Sequence, residues 1–435
     1  MLLRFQVTNH ASLRDEQELS LIASDRHPDE RAERELASGD HRVVPVAAIY
    51  GTNASGKSNV IDAISWVRKA VLSSFRSWDP AGGVPRRPFS LRQDAASWPT
   101  SFSVDFALDG VRHEFGFSVD DDKVTEEWLY FYPEHRANRL YERKADASVV
   151  FGRSLTGRKK IISELLRPNS LYLSVAAAQG HPQLAAVYKW FQTGLRLATD
   201  GNFRSRLDHT VQLLRGDPEQ NSPAPVLRLL HFADLGVSGL KVEDPDESVM
   251  DEYRRITQAM RETLGERVQV QANGLHSVQV EHRTAEGVFP LDLAEESSGT
   301  RTWIGLLGPV IATLTQGSVL CVDELDARLH PYLVDAVVGM FQSPEVNRTG
   351  AQLVFSTHEA SLLGKNVRSE LYRDQVWFTE KDPDTLATRL FPLTEFHVRD
   401  SGDNREKRYL TGRYGAVPYL DDDLLHEFSE AVGGA

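Results

Sequence analysis

Apolar residues are spaced along the chain in a pattern that predicts an α/β protein. The uninterrupted apolar run at 46–49 predicts a buried strand, and apolar positions three to four residues apart between 60 and 67 predict a helix that follows it. Two later runs, 318–322 and 352–355, predict further buried strands, with a helix between them after His330. Buried strands that alternate with helices are typical of an α/β core.

Other parts of the chain alternate between apolar and polar residues, which predicts strands with one buried face. Residues 2–8 and 17–23 predict two strands joined by a polar turn at 9–16. The alternating segments of a predicted antiparallel meander are 101–108, 113–119, 126–133 and 139–144. Further predicted strands are 170–175, 268–272, 276–283 and, in the tail, 374–380.

A mainly helical insertion is predicted between these parts, because segments such as 184–195 and 253–264 have helical spacing. The predicted organisation is therefore an amino-terminal part of a core domain at 1–180, a helical insertion at 181–271, the carboxyl-terminal part of the core at 272–368, and a carboxyl-terminal segment at 369–435. This is an α/β fold with an antiparallel β subdomain.

The amino-acid composition limits the classes of protein to which the chain can belong. Of the 435 residues, 41% are hydrophobic and 26% charged, which is typical of folded globular chains. The single cysteine, Cys321, excludes a disulfide framework within the chain, and no run reaches the length of a membrane helix, so we expect a cytoplasmic protein without a membrane partner. The net charge of −13 argues against a chain-wide grip on nucleic acid but leaves room for a local basic groove.

The residues after the first buried strand have the spacing of a phosphate-binding loop, G-x-x-x-x-G-K-[ST], followed by a helix. The glycines let backbone N–H groups turn toward phosphate oxygens, and the positive end of the helix points at the same anion. Lys57 is expected to reach the phosphates of ATP, and the Ser58 hydroxyl to bind Mg²⁺. The nine candidate residues are Gly51, Thr52, Asn53, Ala54, Ser55, Gly56, Lys57, Ser58 and Asn59.

Two later segments supply further candidates for the same chemistry. The strand at 318–322 ends in two carboxylates, of which Asp323 is expected to hold Mg²⁺ and Glu324 to polarise the attacking water. About twenty residues earlier, Ser298 and Gly299 precede an apolar helix that we expect to begin near Trp303. A hydroxyl and a backbone N–H at a helix start can bind an anion, although the same residues also serve as a simple cap.

The order of these motifs resembles the SMC/RecF-like branch of ABC-type ATPases. The resemblance rests on the phosphate loop, ESSGT at 296–300, CVDELDARLHP at 321–331 and FSTHEASLL at 355–363. The blocks DELDARLHP and GRYGAVPYL resemble more closely the stand-alone AAA-family ATPases of bacterial abortive-infection systems, the RloA-like group. The resemblance implies a P-loop NTPase of the ABC type.

The resemblance also implies roles for single residues. His358 matches the switch histidine near the γ-phosphate, and Asp326 lies in the loop that faces the opposite subunit. Gln179 is the candidate for the family's glutamine loop, with Gln93 as the alternative. Asn9 and Ser12 occupy the turn that lies beside the nucleotide in relatives, and Thr300 stands where the ABC signature has its second glycine.

The function implied is that of an ATPase that forms a homodimer or higher homo-oligomer around ATP and regulates a separate effector, a nuclease, in antiphage defence. A nuclease within the chain is not expected, because Asp382 and Asp384 supply only part of a Toprim site and too few residues follow Leu390. DNA or RNA is left open as a partner. The first alternative is a RecF/SMC-like ATPase that binds DNA in DNA repair or maintenance. The second is a scaffold that binds nucleotide without turnover.

Overall fold

The computed structural model describes residues 1–24, 31, 33–36, 42–216, 223–264, 276–364, 367–397, 404–418, 423–424, 429 and 432. The chain divides into two compact units. The first, here called the middle unit, consists of Met1 and Gln192–Val354; the second, here called the split unit, consists of Leu2–Phe191 and Phe355–Ala435. Apart from Met1, the predicted segments 1–180 and 369–435 fall in the split unit, and 181–271 and 272–368 fall mostly in the middle unit.

Within the described residues, the strands are numbered in chain order. They are β1 (Leu2–Thr8), β2 (Gln17–Ser20), β3 (Arg34–Glu35), β4 (Arg42–Val43), β5 (Val46–Gly51), β6 (Thr100–Leu108), β7 (Val111–Val119), β8 (Val124–Tyr132), β9 (Asn138–Arg143), β10 (Val149–Phe151), β11 (Leu195–Ala198), β12 (Val237–Glu243), β13 (Ser277–Thr284), β14 (Gly287–Asp292), β15 (Val319–Val322), β16 (Gln352–Ser356), β17 (Val376–Lys381) and β18 (Thr388–Pro392).

The α-helices of the described part are numbered in the same way. They are α1 (Lys57–Ser73), α2 (Lys159–Glu164), α3 (Tyr172–Ala178), α4 (Pro182–Lys189), α5 (Phe203–Arg215), α6 (Ala224–Phe232), α7 (Glu247–Leu264), α8 (Ser298–Gln316), α9 (Pro331–Gln342) and α10 (Arg405–Leu410).

The split unit contains an antiparallel sheet in the order β10-β9-β8-β7-β6-β1-β2, as counted over its described strands. The predicted amino-terminal strands and meander are therefore parts of one sheet. Helix α1 packs on this sheet through Trp66, whose ring stacks on Phe102 with centroids 4.9 Å apart and also contacts Phe117. The large apolar rings thus fix the helix that follows the phosphate loop.

The split unit also contains β5, the strand that enters the phosphate loop. Strand β17 pairs with β5 in parallel, from Val376 opposite Ala48 to Thr379 opposite Gly51, and β18 pairs with β17 antiparallel. All six residues of β5 are buried, as expected for a strand covered on both faces. The carboxyl-terminal hairpin β17–β18 is therefore part of the sheet that carries the loop.

The middle unit is built around β15 and helix α8. Strand β15 lies between β11 and β16 and pairs with β11 in parallel. Helix α8 is buried along most of its length, and Thr210 of α5 accepts from Gly308 N and donates to Ile304 O of α8. A separate antiparallel sheet, β12-β13-β14 among the described strands, leads into the residues before α8.

Several predicted elements differ from the structure. The strand predicted at 170–175 is wrong, because residues from Tyr172 onward form α3. The buried carboxylate of Glu127 on β8 accepts from the backbone N–H groups of Tyr172 and Leu173, at 2.6 and 3.0 Å, which satisfies the start of a helix.

The segment predicted as mainly helical also holds β11 and β12, and the tail holds β18 in addition to the predicted strand. The strand predicted at 268–272 lies outside the described residues. No helix in the described part of the chain is long and apolar enough to cross a membrane.

Candidate nucleotide-binding site

The phosphate loop joins the end of β5 to the first residue of α1. Gly56 caps α1 with φ 109°, a conformation that glycine tolerates, and it offers no side chain to the first helical N–H groups. The first turn of α1 carries no acidic residue. These N–H groups and the positive end of the helix therefore fit an anion, as the sequence predicted.

Lys57 is buried, with 5% of its surface exposed, and its ammonium lies inside the loop. Its Nζ donates to the carbonyl oxygens of Gly51 and Thr52, both at 3.0 Å. Ser58, the next residue, is exposed on the first turn of α1. The loop thus combines a buried cation with an accessible hydroxyl, which are the two groups that the phosphates and Mg²⁺ of a nucleotide require.

Two threonines of the carboxyl-terminal hairpin hold the loop in place. On β17, the Thr379 hydroxyl lies 2.7 Å from Ser55 Oγ and donates to Tyr50 O. On β18, Thr388 Oγ1 donates to Ser55 O at 2.7 Å. A Cβ on Gly56 would lie 2.1 Å from Thr388 Oγ1, so this glycine is required by space as well as by φ.

The turn between β1 and β2 contacts the same loop through Ser12. Ser12 Oγ lies 2.6 Å from Thr388 Oγ1 and accepts from Asn59 Nδ2 at 2.6 Å. Asn9 points elsewhere: its amide donates to the carbonyl oxygen of Trp98 and accepts from Phe89 N. Ser12 therefore contributes to the geometry of the loop, whereas the Asn9 side chain ties the turn to the segment before β6.

His358 follows β16 and lies in the split unit, as the phosphate loop does. Its neighbour Thr357 donates from its backbone N–H to Ile49 O of β5 at 3.0 Å, and Tyr50 OH donates to Glu359 O. The His358 side chain is exposed. The structure thus fixes the backbone of the predicted switch histidine against the strand that enters the loop.

The two predicted carboxylates follow β15 in the middle unit. Asp323 N donates to Ala198 O of β11 at 3.0 Å, which holds the strand end. Glu324 has φ 53°, a conformation uncommon for a residue with a side chain, and it is exposed. Backbone strain of this kind is concentrated at functional sites, although the strain alone does not assign a role.

The signature residues begin α8, five residues earlier than Trp303, where the sequence predicted the helix to begin. Ser297 is the cap and accepts from Thr300 N at 3.0 Å, while Ser298 is the first helical residue and is exposed. A Cβ on Gly299 would lie 2.7 Å from the carbonyl oxygen of Arg328. Thr300 is buried and its hydroxyl lies 2.9 Å from Ser297 Oγ, so the residue that replaces the second glycine strengthens the cap.

The remaining predicted residues are placed as follows. Asp326 lies in the loop between β15 and α9, three residues before the buried Leu329. Gln179 is exposed and ends α3, so it follows a helix and not the predicted strand, and Gln93 is exposed in the segment before β6. Cys321 is buried in β15.

The structure therefore groups the candidates by unit. The split unit holds the phosphate loop, Ser12 and His358, and the middle unit holds Asp323, Glu324, Asp326 and the signature residues. Sequence reasoning missed Thr379 and Thr388, because a threonine in a strand carries no pattern that points to a loop more than 300 residues away. Among the described residues, no group of three or more His, Cys, Asp or Glu side chains could hold a metal ion.

The comparison with protein families matches a part of the chain that includes this loop. Residues 46–364 match the family described as "AAA domain, putative AbiEii toxin, Type IV TA system". The chain belongs to this family of AAA domains. The match confirms the resemblance to AAA-family ATPases of abortive-infection systems and the predicted α/β P-loop fold. It begins at β5 and ends after His358, so the AAA domain as matched excludes the hairpin that bears Thr379 and Thr388.

Solved structures similar to this AAA-family chain include SMC heads. The SMC head domain from Thermotoga maritima has a TM-score of 0.39 and 13% identity, with 91% of this chain and 99% of that chain covered. An Smc head domain with an extended coiled coil bound to the C-terminal domain of ScpA, derived from Pyrococcus furiosus, has a TM-score of 0.31 and 10% identity, with 95% and 98% covered. No curated protein sequence matched the chain.

Proposed function

We propose that this AAA-family protein is a cytoplasmic ABC-type ATPase that binds and hydrolyses ATP, dimerises on ATP, and regulates a separate effector in antiphage defence. The observation that carries the proposal is the phosphate loop. The loop brings the buried Lys57 ammonium next to the first N–H groups of α1, which no side chain caps. Hydrogen bonds that involve Thr388 and Ser12 hold the loop in this conformation.

The residue roles follow from the chemistry of phosphoryl transfer. Lys57 binds the phosphates, with the backbone N–H groups of the loop, and Ser58 and Asp323 would hold Mg²⁺. Bound Mg²⁺ would neutralise charge on the phosphate oxygens. Glu324 accepts a proton from the attacking water and His358 donates to the γ-phosphate, while Gln179 stays the candidate for a residue that senses the nucleotide.

The dimer is proposed from the signature residues. Ser298 is exposed at the start of a 19-residue helix, and Gly299 beside it is partly exposed; the start of a helix favours an anion. In the ABC-type arrangement that the chain resembles, these groups complete the nucleotide site of a second copy. Each ATP would then be held between the loop of one copy and the Ser298 and Gly299 of the other.

The proposed role in defence is supported by the family, whose description names a putative AbiEii toxin of a Type IV TA system. We propose that the effector is a separate nuclease and that ATP-driven closure of the dimer controls it. No described feature favours the alternative of a DNA-maintenance ATPase over this function.

A mixing experiment tests the shared site. Lys57→Ala removes the phosphate cation, and Ser298→Arg places a bulky cation at the signature; each homodimer is expected to lose ATP turnover, measured as phosphate release. A mixture of the two variants forms heterodimers in which one site has both a wild-type loop and a wild-type signature, so part of the turnover should return. Full turnover by the Ser298→Arg homodimer would exclude a signature that acts in trans.

Two controls make the result interpretable. Subunit exchange is measured by energy transfer between fluorescent labels, because copies that do not exchange would give the same inactive mixture. Arg283→Gln, an exposed change on β13, should leave turnover unchanged. The role in defence is tested separately, by phage plaque counts in cells that carry the native locus with Glu324→Gln; unchanged protection would contradict it.

A further inference from the structure

A cavity of about 320 Å³ lies in the middle unit, beside the first turn of α8. Its wall comes from α5, from the start of β13, from the turn after β14, and from α8. The volume is within the range of small-molecule sites, which is roughly 300–1,000 Å³. No part of the proposed ATPase chemistry uses this cavity.

One side of the cavity is apolar. It is formed by Phe203 and Leu207 of α5, Val278 of β13 and Leu293 after β14. Leu207 and Val278 are almost fully buried, and Leu293 is 7% exposed. A flat or aliphatic body of a few carbon atoms would therefore lose contact with water on this side, which is the favourable term in most small-ligand binding.

Two charged residues of the wall, Arg204 and Asp292, already make hydrogen bonds. Arg204 donates to His276 O at 3.0 Å and lies 3.6 Å from Asp208, so its charge is matched. Burial lowers the pKa of His276, whose Nε2 lies 3.4 Å from Asp208 Oδ1. Asp292 accepts from Ala294 N at 2.7 Å and caps the turn after β14.

Arg301 is the exception in this wall. It lines the cavity from the first turn of α8 and is only partly exposed. Its backbone N–H donates to Ser297 O at 3.0 Å, but among the described residues its side chain makes no hydrogen bond and no ion pair, although a guanidinium group has five N–H donors. The cavity thus joins an apolar surface to one cation whose donors are unused.

We propose that this cavity is a binding site for a small organic anion, a carboxylate or phosphate carried on an apolar body, with the anion on Arg301. The apolar body lies against Phe203, Leu207 and Leu293. Arg301 follows Ser298 by three residues on α8, so an occupant would be held against the first turn of the helix that carries the signature.

Fluorine NMR on the full chain, without nucleotide, tests this site. The probe is para-fluorobenzoate, and its neutral match is para-fluorobenzyl alcohol. We expect the benzoate to bind with a Kd on the order of millimolar, as fragments of this size do. We expect the alcohol to bind about tenfold more weakly, because it lacks the charge-assisted bond to Arg301. Inorganic phosphate, which lacks the apolar body, should fail to displace the benzoate.

Three variants locate the binding. Arg301→Gln should weaken the benzoate about tenfold, and Ala294→Trp should abolish binding by filling the cavity from its exposed rim. Arg283→Gln, which removes the same charge outside the cavity, should bind like the wild type. Equal binding of benzoate and alcohol by the wild type, equal binding by the wild type and Arg301→Gln, or no benzoate binding at all would overturn the proposal. The comparison of the two probes uses only wild-type protein, so it decides the outcome even if a variant fails to fold.

Discussion

Thr388→Val should weaken ATP binding although the residue lies outside the P-loop motif. Four groups form a chain of hydrogen bonds. Asn59 donates to Ser12, Ser12 donates to Thr388, and Thr388 donates to the carbonyl oxygen of Ser55, at 2.6, 2.6 and 2.7 Å. Because a hydroxyl has one proton, the donation to Ser55 fixes the direction of the bond from Ser12. Valine keeps the shape and breaks the chain at both sides of Thr388.

The magnitude follows from burial. Thr388 is 2% exposed, so the Ser55 carbonyl would be left without its partner in a buried place. An unsatisfied buried group costs about 1–3 kcal/mol, and we expect the free energy of unfolding to fall by about 2 kcal/mol. If one residue of the loop then becomes free to adopt several backbone conformations, ATP binding must order that residue again, which costs about 1–2 kcal/mol of conformational entropy. That cost corresponds to a Kd for ATP about tenfold weaker.

Calorimetric titration with ATP measures the affinity, and urea denaturation followed by tryptophan fluorescence measures the stability. Thr388→Ser retains the hydroxyl and should bind ATP nearly as the wild type does. Thr210→Val is the matched control: Thr210 also donates one bond and accepts one, but to α8, so it should lose stability without losing ATP affinity. Wild-type ATP affinity in Thr388→Val would refute the argument that the hairpin holds the loop in its binding geometry.

Three other predictions concern the middle unit. Glu324→Gln should still bind ATP but not activate water, so light scattering with ATP should detect a dimer that persists longer than that of the wild type; rapid hydrolysis by this variant would move the base elsewhere. Gly299→Ala places a Cβ 2.7 Å from the carbonyl oxygen of Arg328. We therefore expect the free energy of unfolding to fall by about 1–3 kcal/mol and ATP turnover to slow. The control Gly201→Ala, whose Cβ would have its nearest atom 4.0 Å away, should change neither quantity. Burial raises the pKa of the Cys321 thiol to about 12, so iodoacetamide should alkylate it only after denaturation, as mass spectrometry would reveal; rapid alkylation of the folded protein would contradict its burial.

The sequence predicted the elements whose signals are local. Strand β5, the loop and α1 follow from one apolar run, one glycine spacing and one helical period, and all three are found where the pattern places them. Helix α3 was mistaken for a strand because its start is satisfied by Glu127, which lies 45 residues earlier. Strand β11 has only four residues, too few for a period to distinguish it from the helices on either side.

The residues of the candidate site also divide into those with a local sequence motif and those without one. Lys57, Asp323 and Ser298 could be proposed as site residues because their motifs are short and continuous in the sequence. Thr379 and Thr388 were not, because their effect depends on a pairing of β17 with β5 that no local pattern encodes. Side chains that shape a site from a distant strand are visible only once the register of that strand is known.

The late position of this hairpin has a consequence for how the protein matures on the ribosome. Every motif that defines an ABC-type ATPase lies before residue 369, yet the bonds that brace the phosphate loop join it to partners 324 and 333 residues farther along the chain. A nascent chain therefore carries a complete set of motifs well before it can hold its loop in shape. Contacts between residues so far apart in the sequence slow folding, because closing the long intervening loop costs entropy. A protein released early by a premature stop before Thr388 would retain the phosphate loop, Asp323, Glu324 and His358 but lack the bond from Thr388 to Ser55 O, so a late part of the chain would decide when the loop reaches its final shape.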